Sequence, residues 1–171
     1  MELNQTRTTL HGAAELLLAG PGGRHPLAGT YAEAAAAVGV VPRSLEGVYR
    51  DGANVAPDDP IEIDAAALGV LVEALARGDA ALRSFAPSEE PVLWPEHLDV
   101  AITVDEVGFG VSPGDANLPE PYAYVGPWSP RSGPFWNQPF GAARPLTELV
   151  DVAAFFAEGA ARVDSDPVVG G

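Results

Sequence analysis

The sequence contains no cysteine and no lysine; all nine basic residues are arginine, set against 24 Asp and Glu. Without cysteine there is no disulfide, no thiolate nucleophile and no thiolate-ligated zinc or iron–sulfur centre. Without lysine there is neither a Schiff-base amine nor a P-loop lysine. The net charge, 9 − 24 = −15, argues against nucleic acid or an anionic membrane as partner, because both are held by positive charge. A neutral or cationic small molecule, or a protein partner, suits such a surface better. No apolar run approaches the ~18 residues of a membrane span. The leading segment MELNQTRTTLHGAAELLLAG carries Glu2, and Glu15 interrupts its apolar run, unlike a signal peptide with its basic start and unbroken apolar core. The expectation is a soluble, cytoplasmic protein.

At 171 residues the chain is long enough for one well-buried core and short for two, so a single domain is expected, with residues 163–171 as a disordered tail. Aromatic side chains are concentrated in one stretch, residues 92–141, which holds Trp94, Trp128 and Trp136, the full complement of tryptophan. Within it Leu98, Val100, Ile102 and Val104 alternate with His97, Asp99, Ala101, Thr103 and Asp105. Side chains on a strand point to opposite faces with a period of two, so this reads as a half-buried antiparallel strand with one aliphatic and one polar face. Residues 107–111 can return antiparallel, and YAYVGPW (122–128) supplies a third strand. The fold class that follows is α+β: a small antiparallel β-meander over about 92–128, with three or four helices packed on one face.

Helices are expected over 8–19, where a strand around 16–18 is an alternative, and after Thr30, where Thr30 and Glu33 form a capping box. Another is expected from Asp64 to Pro87, with Leu68, Leu71, Val72, Leu75, Leu82 and Phe85 on one stripe, a kink at Gly78-Asp79 and an outer Glu73–Arg77 pair. A last one runs from about Thr147 to Arg162. A short strand is expected near 46–50. The Pro/Gly-rich but aromatic segment 129–145 reads as an ordered loop packed over something rather than as a linker.

Three constellations are candidates for chemistry. His97 and Asp99, at i and i+2 of a strand, share a face with Asp105 and can act as acid and base. A metal triad would need a second histidine on that face; the others, His11 and His25, lie in segments with no visible tie to the strand, and no metal site is assigned. Glu96 with Asp99 or Asp115 is a candidate carboxylate pair, although such pairs are common in a chain this acidic. Trp94, Tyr122, Tyr124, Trp128 and Trp136, with Phe135 and Asn137, either pack under loops or line a ligand pocket with polar handles. No cofactor is implied: Gly108-Phe109-Gly110 leads into no helix, no G-x-S-x-G elbow is present, and DGANVAPDD (51–59) lacks the spacing of a calcium loop.

The segments LWPEHLDVAITVDEVGFGVSPGD, PEPYAYVGPW and FWNQPFGAARPL resemble a family of bacterial proteins catalogued as a domain of unknown function. The resemblance runs from about residue 11 to 162 and is most specific at Trp94-Pro95-Glu96-His97, at Ser112-Pro113-Gly114-Asp115 and over 119–128. It implies no catalytic role. Members of that family carry a strand-bearing insertion between pieces that abut here as AGPGGRHPLAGT, and this departure puts in doubt any pocket built with that part of the sheet. Two functions follow from the sequence. One is a small-molecule-binding protein or enzyme with its pocket between the polar strand face and the aromatic loops. The other is a non-catalytic interaction or accessory protein that meets a partner through its acidic surface and exposed aromatics.

Overall fold

The computed structural model describes residues 17–20, 23–41, 55–94, 97–116 and 118–169. The chain divides into two compact units, Met1–Ala65 and Ala66–Gly171.

In the first unit, strands β1 (Leu17–Gly20) and β2 (Gly23–Pro26) form an antiparallel hairpin. The helix expected over 8–19 therefore gives way to a strand at its C-terminal end; its earlier residues lie outside the described ones, as does the expected strand near 46–50. Such a short apolar run has no periodicity of its own, and pairing with 23–26 decides it. Helix α1 (Tyr31–Ala37) carries the expected capping box. The Glu33 amide donates to Thr30 Oγ1 at 3.2 Å and the Thr30 amide to Glu33 Oε2 at 2.9 Å. Residues 55–61 run back alongside, with the Ile61 amide donating to the Gly29 carbonyl at 2.8 Å.

The second unit is α+β. Strands β3 (Val92–Trp94), β4 (Asp99–Val104), β5 (Val107–Ser112), β6 (Tyr122–Pro127) and β7 (Ala142–Pro145) form one antiparallel sheet in sequence order. Helices α2 (Ala65–Phe85) and α3 (Val152–Ser165) cover one face of it. Val100, Ile102, Phe109, Val111, Ala123, Val125 and Ala142 project toward the helices and are buried with Leu82, Phe155 and Phe156. The rings of Phe85, Phe109 and Phe156 meet one another at 4.7–5.9 Å between centroids.

Glycine sets how closely the helices approach. A Cβ on Gly78 of α2 would lie 2.7 Å from Val111 and 2.8 Å from Val100, and one on Gly159 of α3 would lie 2.6 Å from a Val125 methyl. Gly78 is thus a contact point in a continuous helix rather than the expected kink. Arg77 also departs from its expected outer ion pair with Glu73. Its guanidinium donates to the Leu146 carbonyl at 2.9 Å and to the Leu149 carbonyl, tying the turn before α3 to α2.

Segment 129–141 is the ordered loop the sequence suggested. Phe135 is buried and Trp136 packs edge-on against it at 4.9 Å. What the sequence reading did not separate from this loop is β7. Helix α3 starts at Val152, five residues after the expected Thr147, because Asp151 caps it with its side chain accepting from the Ala154 amide at 3.0 Å. The expected disordered tail is helical to Ser165. Beyond the helix it is held against the loop: the Ser132 amide donates to the Pro167 carbonyl and the Val169 amide to the Pro130 carbonyl, both at 2.9 Å.

Both sheet edges are blunted against further pairing. Strand β3 is three residues long and follows Pro91, and short, proline-flanked edges resist strand addition. On β7 the Asn137 side chain stands where a next strand's peptide would be, accepting from the Ala143 amide at 3.0 Å and donating to its carbonyl at 3.1 Å.

Candidate functional site

Helices cover one face of the sheet. On the other, which we call the open face, the registers Ala101↔Gly110, Gly110↔Tyr124 and Tyr124↔Ala143 align one row of residues, while Trp94↔Asp99 and Ser112↔Tyr122 belong to the next. Gly110 has a steric role here. A Cβ at that position would lie 2.5 Å from the Tyr124 Cζ and Oη, so the absence of a side chain lets the Tyr124 ring lie flat across β5. Its hydroxyl thereby reaches strand β4 and donates to Asp99 Oδ2 at 2.5 Å, at the short end for a hydroxyl–carboxylate bond.

A second pair stands beside the first. The Tyr122 hydroxyl donates to Asp115 Oδ2 at 2.8 Å. Asp115 is placed by its own loop, its amide donating to the Leu118 carbonyl and its Oδ1 accepting from the Leu118 amide, both at 2.8 Å. The two tyrosine rings are 6.3 Å apart, and Phe140 closes one flank edge-on to Tyr124 at 6.4 Å. Tyr122 is only 5% exposed, whereas Trp94 (51%) and Phe140 (41%) stand out at the rim. Ser112, also on this face, is buried and accepts from the Gly114 amide at 3.2 Å.

The electrostatics follow from this packing. Burial pushes the Tyr122 phenol up to about 12; Ser112 beside it acts in the opposite sense, and the hydrogen bond to Asp115 raises it further. Tyr124 is raised more strongly, by burial first and then by its bond to the Asp99 carboxylate. Both phenols therefore keep their protons at neutral pH and spend them on carboxylates. Asp99 is left incompletely satisfied: its Oδ1 is buried and has no hydrogen-bond partner among the described residues. A buried acceptor in that state costs about 1–3 kcal/mol, and more when charged.

Asp99, Asp115, Tyr122 and Tyr124 are the sequence candidates that the structure brings together, with Trp94 opposite Asp99. His97 is not with them. It sits exposed in the turn between β3 and β4, its amide donating to the Trp94 carbonyl at 3.3 Å. The alternating pattern extended the strand two residues too far, because Leu98 takes a left-handed backbone conformation (φ 54°) that ends it. Asp105 is also separate: with Glu106 it forms the turn at the far end of β4, both at positive φ. It lies roughly 20 Å from Asp99 along six strand residues at about 3.3 Å each. An acid–base set of His97, Asp99 and Asp105 is not assembled. Glu96 lies outside the described residues.

Trp128 stands with the far turn, 69% exposed, its amide donating to the Glu106 carbonyl at 2.9 Å. Trp136 and Asn137 serve the helix side and the sheet edge. The indole of Trp136 donates to Asp166 Oδ2 at 3.0 Å, and Asn137 caps β7. Neither Ser112 nor Phe140 is among the residues that the sequence pattern singles out; the signal for Ser112 is its parity with Gly110 on a returning strand.

A separate groove of about 490 Å³ on the helix side is lined by Phe135, Arg144, Leu149 and Phe155 together with Glu148, Asp151 and Glu158. Its one cation is committed. Arg144 donates to Asn137 Oδ1 at 2.7 Å and to the carbonyls of Ala143 and Phe135, and lies over the Phe135 and Phe155 rings. The groove presents a structural arginine rather than a vacant one. Among the described residues no group of three or more His, Asp and Glu side chains is placed to hold a metal ion, and no helix is long and apolar enough to cross a membrane. No family model matches the chain, and no curated protein or solved structure matches it.

Proposed function

We propose that the protein is a small-molecule-binding module whose site is the open face of the sheet, around Asp99, Tyr124, Tyr122, Asp115 and Ser112. The observation that carries this reading is the buried Asp99 Oδ1, which lacks a donor among the described residues. Buried polar atoms are almost always hydrogen-bonded, and a bound ligand supplies the missing bond. The short bond from Tyr124, the glycine beneath its ring and the aromatic rim formed by Trp94 and Phe140 support a shaped recognition surface. Binding is favoured over catalysis by the state of the side chains. Both phenol protons are committed to carboxylates, and the exposed His97 is outside the cluster. The segments that carry the family resemblance supply Ser112, Asp115, Tyr122 and Tyr124, and extend the proposal to that family.

A thermal-shift screen of wild type, Asp99→Asn and His97→Ala against a metabolite library tests the reading, since a ligand of the native state raises the melting temperature by mass action. The expected result is a hit shared by wild type and His97→Ala and lost in Asp99→Asn. A hit lost only in His97→Ala contradicts it. The second reading, a non-catalytic interaction protein, rests on Trp128, which is apolar, prominently exposed and beside the acidic Asp105-Glu106 turn. A screen with no hit, together with partner binding lost in Trp128→Ala, would support that alternative.

A further inference from the structure

We infer that the open-face site takes a small organic cation bearing N–H donors, a primary ammonium or a guanidinium group. The inference rests on the reading of that face as the ligand site and adds its charge class.

Hydrogen-bond accounting comes first. A tyrosine or serine hydroxyl has one proton to give. That of Tyr124 goes to Asp99 and that of Tyr122 to Asp115. The core of the site thus holds two carboxylates whose tyrosine partners have no proton left to offer a ligand. An incoming acceptor would find no phenol proton there, but an incoming donor finds Asp99 Oδ1 buried and, among the described residues, unpartnered.

Cation accounting leads the same way. The five arginines of the second unit are engaged elsewhere: Arg77 with the carbonyls before α3, Arg83 with Asp79, Arg131 with the Val163 carbonyl, Arg144 with Asn137, and Arg162 with Glu158. None of these contacts is to Asp99. The face therefore brings carboxylate charge with no arginine against Asp99 among the described residues, in a chain already at −15. An anionic ligand would meet like charge, whereas N⁺–H donated to a carboxylate is roughly twice as strong as a neutral hydrogen bond. Half-exposed Trp94 and Phe140 offer ring faces that attract a cation. The vacant acceptor then separates two kinds of cation. A quaternary ammonium can sit on the rings but cannot donate to Oδ1, so groups with N–H bind better.

Four compounds built on a four-carbon chain test the assignment on the intact chain: butylammonium, butylguanidinium, butyltrimethylammonium and butyrate. Binding is read from the ring resonances of ¹³C-labelled tyrosine, assigned with the Tyr122→Phe and Tyr124→Phe variants. The expected order is butylammonium and butylguanidinium first, butyltrimethylammonium weaker and butyrate without effect. Asp99→Asn is expected to weaken the first two about tenfold or more, the worth of one hydrogen bond to a charged group. Tyr124→Phe, which keeps the carboxylate, is expected to retain them, so the test does not depend on a single variant folding. Butyrate shifting the Tyr122 and Tyr124 rings as strongly as butylammonium overturns the charge class while leaving the face as a ligand site. Butylammonium and butyltrimethylammonium binding equally overturns the donor requirement. If butylammonium leaves both tyrosine rings unmoved and, in a ¹⁵N-labelled sample, shifts only the backbone amides of Glu148, Asp151 and Glu158, both this inference and the reading it rests on fail.

Discussion

The two faces of the five-stranded sheet share one backbone and differ in what their glycines make room for. On the helix side Gly78 and Gly159 admit valines, and the result is a dry contact of branched aliphatic and aromatic side chains. On the open side Gly110 admits the Tyr124 ring, and the result is a row of hydroxyl–carboxylate bonds with one carboxylate oxygen left over. The first arrangement returns stability through burial and close packing. The second retains an unmet acceptor that an apolar side chain would have removed. A face that only had to close the fold would not need it, and this difference is the ground for placing the ligand on the open side.

The sharpest way to break the comparison is at the centre of the helix side. Phe156 is fully buried among Phe85, Phe109 and Phe155, so Phe156→Ala is expected to lose about 3–5 kcal/mol of stability, read by urea denaturation. Gly159→Ala comes next. Alanine is the better helix former, but its methyl meets a stiff, buried valine, and a net loss of about 1–3 kcal/mol is expected. Gly110→Ala on the open side should cost less, about 1 kcal/mol, because the atoms it meets are the far end of a tyrosine that can swing aside and hydrate. Its larger effect is on Tyr124, whose ring resonances should move toward those of a solvated tyrosine. A Gly110→Ala variant as unstable as Phe156→Ala would mean that the open face is also core.

The smallest expected effect is alkaline. Both phenols titrate higher in the folded chain than in the unfolded one, where a tyrosine loses its proton near 10. The stabilisation they provide is therefore fully present below about pH 10. It is lost as pH rises through the folded values, about 12 for Tyr122 and higher for Tyr124. Urea midpoints from pH 9 to 11.5 should fall in wild type and fall less in Tyr122→Phe.

Much of this architecture could be read from the sequence. Alternation identified Val100 and Ile102 as inward and Asp99 as outward. The capping box placed α1, and the aliphatic stripe found α2. What escaped was decided by local backbone or distant pairing. Leu98 at positive φ ended the strand before His97, which no hydrophobic pattern encodes. β7 became a strand through pairing with β6 and capping by Asn137, a side chain that reads as a pocket handle until its partner is known. The candidate site was legible in its parts, Asp99, Tyr122 and Tyr124. Their assembly depended on a glycine one strand away, and sequence spacing cannot show that Tyr124 crosses β5 to reach Asp99.

The most direct test of the central claim follows ring-labelled Tyr122 and Tyr124 together with the Trp136 indole resonance while a library hit from the thermal-shift screen is titrated in. The account predicts that both tyrosines shift with a common dissociation constant while Trp136, bonded to Asp166 on the helix side, stays in place. Saturable movement of Trp136 with the two tyrosines unmoved would contradict it and put the ligand in the groove beside Arg144.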